Sequence, residues 1–259
     1  MIIERATKED YQELKNLWKI VFDEEAVFLE HFFAKRIHFE HIHVARIDQK
    51  IVSALHALPL TYQKEGKKYP TSYIVGAATY KEYRKRGIMS ELLAAVEKSY
   101  THPITLFPAV RPFYEANGYT TTSYMESYPL YACKYEEGVS QQALDLTRLS
   151  NIYDEATKTN GSLCRDAEAW SFLTDGYETV LVDGAYAFIS ENKAVEAMAL
   201  DVPAAQRLLK VLQEKAIEKI QVLEDSPFSK LLDAQQKVLT PMGMSTKRDL
   251  QGIYIAEQY

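Results

Sequence analysis

The stretch from residue 69 to residue 100 changes its hydrophobic period, and this change constrains the fold more than any other feature. Residues 69–79 are rich in β-branched and aromatic side chains, which predicts a buried strand. After Gly87 the period becomes helical, and the helix is expected to end near Tyr100. Its apolar positions are Ile88, Leu92 and Val96. Since another apolar run follows at residues 104–110, the pattern is strand–helix–strand and predicts an α/β fold.

The residues before and after this unit predict the rest of the first half. A helix is expected after Thr7, with Asp10 completing a capping box. Residues 41–47 and 51–62 predict two strands that form an antiparallel meander with the strand over 69–79. Residues 119–131 alternate between apolar and polar side chains and predict one further strand.

The second half partly repeats this order of elements. The composition changes near residues 134–138, and helices and short strands follow until a last expected strand at residues 250–256. We therefore expect two domains, residues 1–131 and 132–259, of which the second is a smaller and degenerate copy of the first.

Charge and composition exclude several classes of protein. Thirty Lys and Arg against 36 Asp and Glu give a net charge of −6, which disfavours a nucleic-acid partner because phosphates require a basic surface. The two cysteines, Cys133 and Cys164, are too few for a secreted disulfide scaffold. No signal peptide is visible, and no apolar run approaches the ~20 residues of a membrane helix. We expect a cytoplasmic protein without a membrane partner.

The turn between the strand and the helix carries three consecutive basic residues and a glycine. Arg84, Lys85 and Arg86 precede Gly87, and the helix N-terminus that follows has unpaired backbone N–H groups and a partial positive charge. Such a helix start binds phosphate, and a glycine lets the ligand approach the backbone. The alternative is a solvated basic turn. Neither the Walker spacing nor the dinucleotide-binding glycine pattern is present.

The motif Arg84-x-x-Gly87-x-Met89 resembles the Arg/Gln-x-x-Gly-x-Gly/Ala signature of the GNAT N-acetyltransferase superfamily. Met89 replaces the usual small residue, and a bulky residue at this position resembles the Eis-like branch of the family. The segment from Phe113 to Tyr119 also resembles the family. The resemblance implies a GNAT fold with a mixed sheet and a second smaller GNAT-like domain. It also implies that acetyl-CoA is the cosubstrate. The pyrophosphate would lie on Arg84, Lys85, Arg86, Gly87, Ile88, Met89 and Ser90. The acetyl and pantetheine groups would contact Ala77, Ala78 and Thr79, where Pro108 helps the neighbouring strand to part.

The resemblance also implies acetyl transfer to a primary amine, with Tyr114 at the family's general-acid position. The alternative for Tyr114 is a role in the core, because the chain has 18 tyrosines. The base is not identified. Eis-like enzymes are expected to use the terminal carboxylate, here that of Tyr259, but the chain is expected to lack the domain that delivers it. The acidic run Asp23, Glu24 and Glu25 is either an acidic mouth for a cationic amine or a solvated helix start.

Other sequence features predict no further chemistry. His31, His38, His41 and His43 are close in sequence, but a metal site is not expected from them. Neither cysteine is beside an obvious base, so direct transfer is expected rather than an acyl-enzyme. A non-catalytic acyl-CoA-binding or regulatory module remains the alternative function. The acceptor is left open between a protein lysine and a small polyamine, and self-association is expected from the Eis-like resemblance.

Overall fold

The structure is a computed structural model that describes residues 1–23, 30, 32–33, 36–131 and 140–257. The α-helices that lie wholly within the described residues are α1 (Tyr11–Phe22), α2 (Ile88–Ser99), α3 (Arg111–Ala116), α4 (Leu146–Ala156), α5 (Ala167–Gly176) and α6 (Val202–Glu214). The strands of the first half are β1 (Ile2–Arg5), β2 (Ile42–Ile47), β3 (Lys50–Lys64), β4 (Lys67–Thr79), β5 (Ile104–Leu106), β6 (Thr120–Thr121) and β7 (Tyr124–Pro129). Those of the second half are β8 (Ser162–Leu163), β9 (Glu178–Val182), β10 (Ala185–Ser190), β11 (Lys193–Ala199), β12 (Lys219–Leu223), β13 (Val238–Pro241) and β14 (Met244–Ser245).

The strands form two mixed sheets. The first sheet has the order β1-β2-β3-β4-β5-β14-β6, with β8 paired to β3, and the second has the order β13-β7-β12-β11-β10-β9. In the first sheet β2, β3 and β4 are antiparallel, whereas β5 runs parallel to β4 after the crossover through α2. In the second sheet β9, β10 and β11 are antiparallel, and β12 runs parallel to β11 after the crossover through α6. The second sheet therefore repeats the topology of the first.

The two halves exchange strands between their sheets, in addition to the pairing of β8 with β3. β7 leaves the first sheet and lies between β12 and β13, antiparallel to both. β14 comes from the C-terminal part of the chain and lies between β5 and β6, antiparallel to both. Because β7 and β14 occupy equivalent positions, the chain makes a reciprocal strand exchange. The expected division at residue 131 stays a prediction.

The two faces of the first sheet are covered by different helices. On one face α1 packs through Leu14, Leu17 and Trp18 into a cluster that also contains residues of the C-terminal segment, such as Ile253. On the other face α2 packs through its apolar stripe into a second cluster, which contains Tyr114. The sheet thus separates an α1 face from an α2 face, and the site described below lies where β4 passes between them.

A buried charged network links the two halves. The Arg165 guanidinium forms two hydrogen bonds of 2.7 Å to Glu196 and one of 2.8 Å to Glu257. Tyr186 and Tyr254 each donate a 2.7 Å hydrogen bond to Glu196. Burial raises the pKa of Glu196, but Arg165 and these donors outweigh it and hold the pKa below its ordinary value. The main-chain carbonyl of Glu257 accepts a hydrogen bond from the Tyr73 hydroxyl of β4, so the network ties the C-terminal segment to the first sheet.

The structure confirms the α/β fold, the capping box of Thr7 and Asp10, and the strand–helix–strand unit. Two expectations were wrong. The single strand over 119–131 is two strands in different sheets, because residues 122–123 carry the chain from one sheet to the other. The last expected strand at 250–256 is a short 3-10 turn followed by one isolated bridge, from Tyr254 to Ser162. No helix in the described parts of the chain is long and apolar enough to cross a membrane.

Candidate active site

The parallel pair β4–β5 opens towards its carboxyl end. β5 pairs with residues 72–74 only and ends at Leu106, whereas β4 continues to Thr79 and stays paired to β3 on its other side. Residues 75–79 therefore have no strand partner on the β5 side. Pro108 lies just beyond the end of β5, as the sequence led us to expect. Backbone groups of β4 that lack a strand partner at this opening can pair with an extended ligand.

A β-bulge shapes β4 at this opening. Gly76 and Ala77 together oppose Leu55 of β3, and Gly76 has φ +60°. The Trp18 indole of α1 donates a 2.6 Å hydrogen bond to the Gly76 carbonyl, and a Cβ on Gly76 would lie 2.8 Å from the indole ring. Glycine is needed here both for its φ and for the close approach of Trp18. The bulge alters the direction of the backbone just before the predicted acetyl-binding residues.

The predicted acetyl-binding residues lie on the unpaired part of β4. Ala78 is buried, while Ala77 and Thr79 are half-buried. Ser53 of β3 donates a 2.8 Å hydrogen bond to the Ala78 carbonyl and lies 2.7 Å from the Thr79 hydroxyl. These bonds hold the β3 side of β4, so the other side of the strand remains available to a ligand.

The basic turn leads directly into an N-terminus of α2 that no side chain caps. Gly87 is the N-cap residue at φ +78°, and it makes no side-chain cap bond. The first main-chain bond of the helix runs from the Glu91 amide to the Gly87 carbonyl. The amides of Ile88, Met89 and Ser90 come before this bond and therefore have no partner within the helix. This is the geometry that binds an anion through backbone N–H groups.

The side chains of the turn differ in their placement. Arg84, Lys85 and Arg86 are exposed, but Arg84 also donates a 2.9 Å hydrogen bond to the Thr79 carbonyl and thereby closes the turn. Arg86 stacks on the Tyr83 ring at 5.3 Å. Ile88 is buried, so only its backbone can face a ligand. Lys85 has φ +61°, a conformation that L-residues adopt at a cost of about 1–2 kcal/mol.

Tyr114 lies on α3, on the α2 face of the first sheet. It is 8% exposed, and its ring packs edge-to-face on Tyr119 with centroids 5.7 Å apart. Burial raises the pKa of Tyr114 to about 12, so its phenol is protonated at neutral pH, as a proton donor must be. Tyr119 is more deeply buried, its hydroxyl has no hydrogen-bond partner, and burial raises its pKa as well. The sequence did not single out Tyr119.

His56 does not supply the general base that the sequence left unidentified. His56 of β3 lies opposite Val75, points to the α1 face and is fully buried, and neither of its ring nitrogens has a partner. Burial, and secondarily His38, lowers the pKa of His56 to about 3, which makes it a poor base at neutral pH. The described His, Cys, Asp and Glu side chains form no group of three or more that could hold a metal ion. The described residues do not include His31, Glu24, Glu25, Cys133 and Tyr259. Asp23 is exposed and lies at the C-terminus of α1.

Residues 3–122 match the family model of the acetyltransferase (GNAT) domain. No curated protein matches the chain in sequence. A conserved protein of unknown function from Enterococcus faecalis V583, described as a probable N-acyltransferase, is 20% identical with a TM-score of 0.73, over 94% of this chain and 72% of that chain. A GCN5-related N-acetyltransferase from Anabaena variabilis is 18% identical with a TM-score of 0.71, over the same shares of 94% and 72%. Eis1 from Mycobacterium abscessus is 13% identical with a TM-score of 0.69, over 95% of this chain and 73% of that chain.

At these identities the solved structures show a common fold, and the family model identifies the class. Residues 3–122 are a GNAT acetyltransferase domain, and a second mixed sheet accompanies this domain. Enzymes of this family typically use an acyl-CoA and an amine acceptor.

Two features of the site were missed by sequence reasoning. The first is the indole bond from Trp18 to Gly76, which joins residues 58 positions apart. An isolated glycine within a strand pattern signals a bulge and could have marked Gly76. The second is Ser53, whose hydroxyl holds the Ala78 carbonyl. No local signal identifies Ser53, because its role depends on the pairing of β3 with β4.

Proposed function

We propose that this protein transfers an acetyl group from acetyl-CoA directly to a primary amine. The observation that carries the proposal is the adjacency of the opened β4 edge to the uncapped start of α2. A thioester ligand extended along residues 77–79 would pair with backbone groups of β4 that have no partner on the β5 side, and its pyrophosphate would accept bonds from the amides of residues 88–90. The amine would reach the thioester carbonyl at the opening, and Tyr114 would protonate the leaving thiolate.

Direct transfer balances without a covalent enzyme intermediate. The neutral amine nitrogen attacks the thioester carbonyl, the C–S bond breaks, and the thiolate takes a proton. The amine gives up one proton to a base that is not identified, by way of water or directly. Initial-rate measurements should give intersecting rather than parallel lines, since both substrates are bound before transfer.

Pyrophosphate binding is tested by calorimetric titration with acetyl-CoA. The double variant K85A/R86A removes two exposed positive charges beside the helix start and should weaken binding about tenfold. The matched control K67A/K68A removes two exposed charges from the β3–β4 hairpin and should bind like the wild type. Equal weakening in both variants would show that net charge, rather than this turn, governs affinity.

The acid role is tested by comparing Tyr114→Phe with Tyr119→Phe. Both remove a phenol from the same buried cluster, so they match in packing. Tyr114→Phe should lower kcat about a hundredfold, while acetyl-CoA affinity stays unchanged. Tyr119→Phe should keep kcat within a few-fold. If Tyr114→Phe turned over like the wild type, Tyr114 would not be the acid.

The acceptor is found by measuring thiol release with a panel of amines that includes small polyamines and lysine-containing peptides. Release with any of them supports transfer. If acetyl-CoA bound at the turn but no amine gave release, the proposed transfer would be replaced by coenzyme binding alone.

A further inference from the structure

Three backbone carbonyls at the open end of β4 accept hydrogen bonds from side chains. The donors come from three different elements, which are α1, β3 and the turn before α2. The pairs are Trp18 with Gly76 at 2.6 Å, Ser53 with Ala78 at 2.8 Å and Arg84 with Thr79 at 2.9 Å. These side chains therefore hold the end of β4 at the place where β5 no longer pairs with it.

The bonds act on the predicted acetyl-binding residues through the peptide units to which the carbonyls belong. A hydrogen bond to a carbonyl polarises its peptide unit and makes the N–H group of the same unit a stronger donor. The Gly76 carbonyl shares its unit with the Ala77 N–H, and the Ala78 carbonyl shares its unit with the Thr79 N–H. Stronger backbone donors at these residues favour a ligand that carries a carbonyl oxygen.

The bond from Trp18 fixes the direction of one peptide unit. The C=O and N–H groups of a planar trans unit point in opposite directions, so a Gly76 carbonyl held towards α1 directs the Ala77 N–H away from α1. Glycine populates positive and negative φ about equally, and the φ of +60° at Gly76 is therefore not set by its own preference. The indole N–H selects this orientation of the bulge.

The Trp18 indole is itself held in place by packing. It is 1% exposed, and its ring lies edge-to-face on Phe33 with centroids 5.0 Å apart and on Phe32 at 6.1 Å. A donor fixed in this way keeps a site in one geometry. The second tryptophan, Trp170, is 2% exposed, and its indole nitrogen has no hydrogen-bond partner in the described part of the chain. A tryptophan of this protein can therefore be buried without an indole hydrogen bond.

We propose that Trp18 is a positioning residue of the acetyl site. Its indole N–H holds the Gly76 carbonyl and thereby keeps the backbone donors of residues 77–79 directed at the carbonyl oxygen of the thioester. The consequence is selectivity, because CoA has the same pyrophosphate as acetyl-CoA but lacks the acetyl carbonyl. This inference rests on the proposed function, since it requires acetyl-CoA to bind at the β4 opening.

The test is calorimetric titration of the wild type and of Trp18→Phe with acetyl-CoA and, separately, with CoA. Phenylalanine keeps an aromatic ring beside Phe32 and Phe33 but cannot donate a hydrogen bond to Gly76. Trp18→Phe should bind acetyl-CoA about tenfold more weakly, while its affinity for CoA changes by less than roughly twofold. The matched control is Trp170→Phe, which also removes a buried indole but breaks no hydrogen bond of that indole, and it should bind both ligands like the wild type.

A second measurement uses the wild type, so it does not depend on whether a variant folds. The chain has two tryptophans, and isotope-labelled indole N–H groups therefore give two NMR signals, which the spectrum of Trp170→Phe assigns. Acetyl-CoA should shift the Trp18 signal more than CoA does, because only acetyl-CoA places a carbonyl oxygen at the peptide units that the indole holds. The Trp170 signal should respond to neither ligand.

The role of Trp18 is overturned if a folded Trp18→Phe chain loses affinity for both ligands equally or for neither, or if the wild-type Trp18 signal responds alike to both. Circular dichroism establishes that each variant is folded. If the wild type bound neither ligand, the proposed function would fail and this inference would fail with it. If the wild type bound both ligands, the proposed coenzyme site would stand even where Trp18→Phe overturned the role of Trp18.

Discussion

Replacement of Arg165 by methionine should strongly destabilise the protein. The Arg165 side chain is 2% exposed, and its partners Glu196 and Glu257 are 5% and 1% exposed. The guanidinium also lies 4.1 Å from the Tyr153 ring centroid and 5.0 Å from that of Trp170. Methionine keeps the apolar contact with these rings but leaves two carboxylates buried without their cation. Removal of one partner from a buried ion pair costs about 3–5 kcal/mol.

The free energy of unfolding measured in urea at pH 7 gives the result directly. At this chain length the expected loss corresponds to a decrease of about 10 °C in Tm. The control is Arg148→Met, which breaks the exposed 3.1 Å pair with Asp183 and should cost less than about 1 kcal/mol. The reasoning is refuted if Arg165→Met unfolds at the same urea concentration as Arg148→Met.

The pH dependence provides an independent check. In the wild type the pKa of Glu196 is lowered, so its contribution to stability is present above the unfolded value and is lost as the pH falls through the folded value. Without Arg165, burial raises that pKa, and protonation relieves the buried charge as the pH falls. The difference between wild type and Arg165→Met should therefore shrink from pH 8 to pH 5. A constant difference would show that lost packing, not charge, explains the destabilisation.

Three further predictions concern the first sheet. Burial lowers the pKa of His56 to about 3, so at this site the unfolded state binds more protons than the folded state between about pH 6.5 and 3, and His56 by itself should cost about 1.4 kcal/mol of stability per pH unit as the pH falls below 6.5. His56→Leu should reduce the slope of stability against pH by about this amount in urea unfolding between pH 7 and pH 5, while His43, whose pKa burial lowers to about 4, keeps a remaining slope. An unchanged slope would contradict the assignment. Gly76→Ala should lower both Tm and acetyl-CoA affinity, because a Cβ at Gly76 would lie 2.8 Å from the Trp18 indole ring. The control is Gly66→Ala, because Gly66 also has a positive φ, +72°, but has nothing within 4 Å of a Cβ. Gly66→Ala should cost only about 1–2 kcal/mol of backbone strain and should leave acetyl-CoA affinity unchanged. A fragment of residues 1–131 lacks β14, the strand that lies between β5 and β6. We therefore expect this fragment to show no cooperative thermal transition. A sharp transition would show that the first sheet is stable without the strand exchange.

Local sequence signals predicted the elements around the candidate site well. The change from an alternating to a helical period placed α2, and Gly87 marked its start because a residue at φ +78° before an uncapped helix favours glycine. Thr7 and Asp10 formed the expected capping box, since such a box involves only four consecutive residues. These signals depend only on residues that are close in the sequence, so they can be recognised without knowledge of the tertiary structure.

Contacts between distant residues were not predictable in the same way. The indole of Trp18 reaches Gly76, and Arg165 reaches Glu196 and Glu257 at separations of 31 and 92 residues. A tryptophan on an apolar stripe, or an arginine after a short strand, carries no sign of its partner. The catalytic role of Tyr114 and the coenzyme-binding role of residues 84–90 stay predictions. The structure shows that Tyr114 and Ile88 belong to the same buried cluster on the α2 face of the first sheet.

The amino-acid sequence by itself determined the α/β class, the strand–helix–strand unit and the glycine at the start of α2, because hydrophobic period and backbone preference act over a few residues. Only the tertiary structure decided that β7 enters the second sheet and that β14 enters the first. An alternating pattern shows that a strand has a buried face, but any sheet edge with a matching face can accept it. The choice of partner depends on strands at least 90 residues away, which meet only in the folded chain.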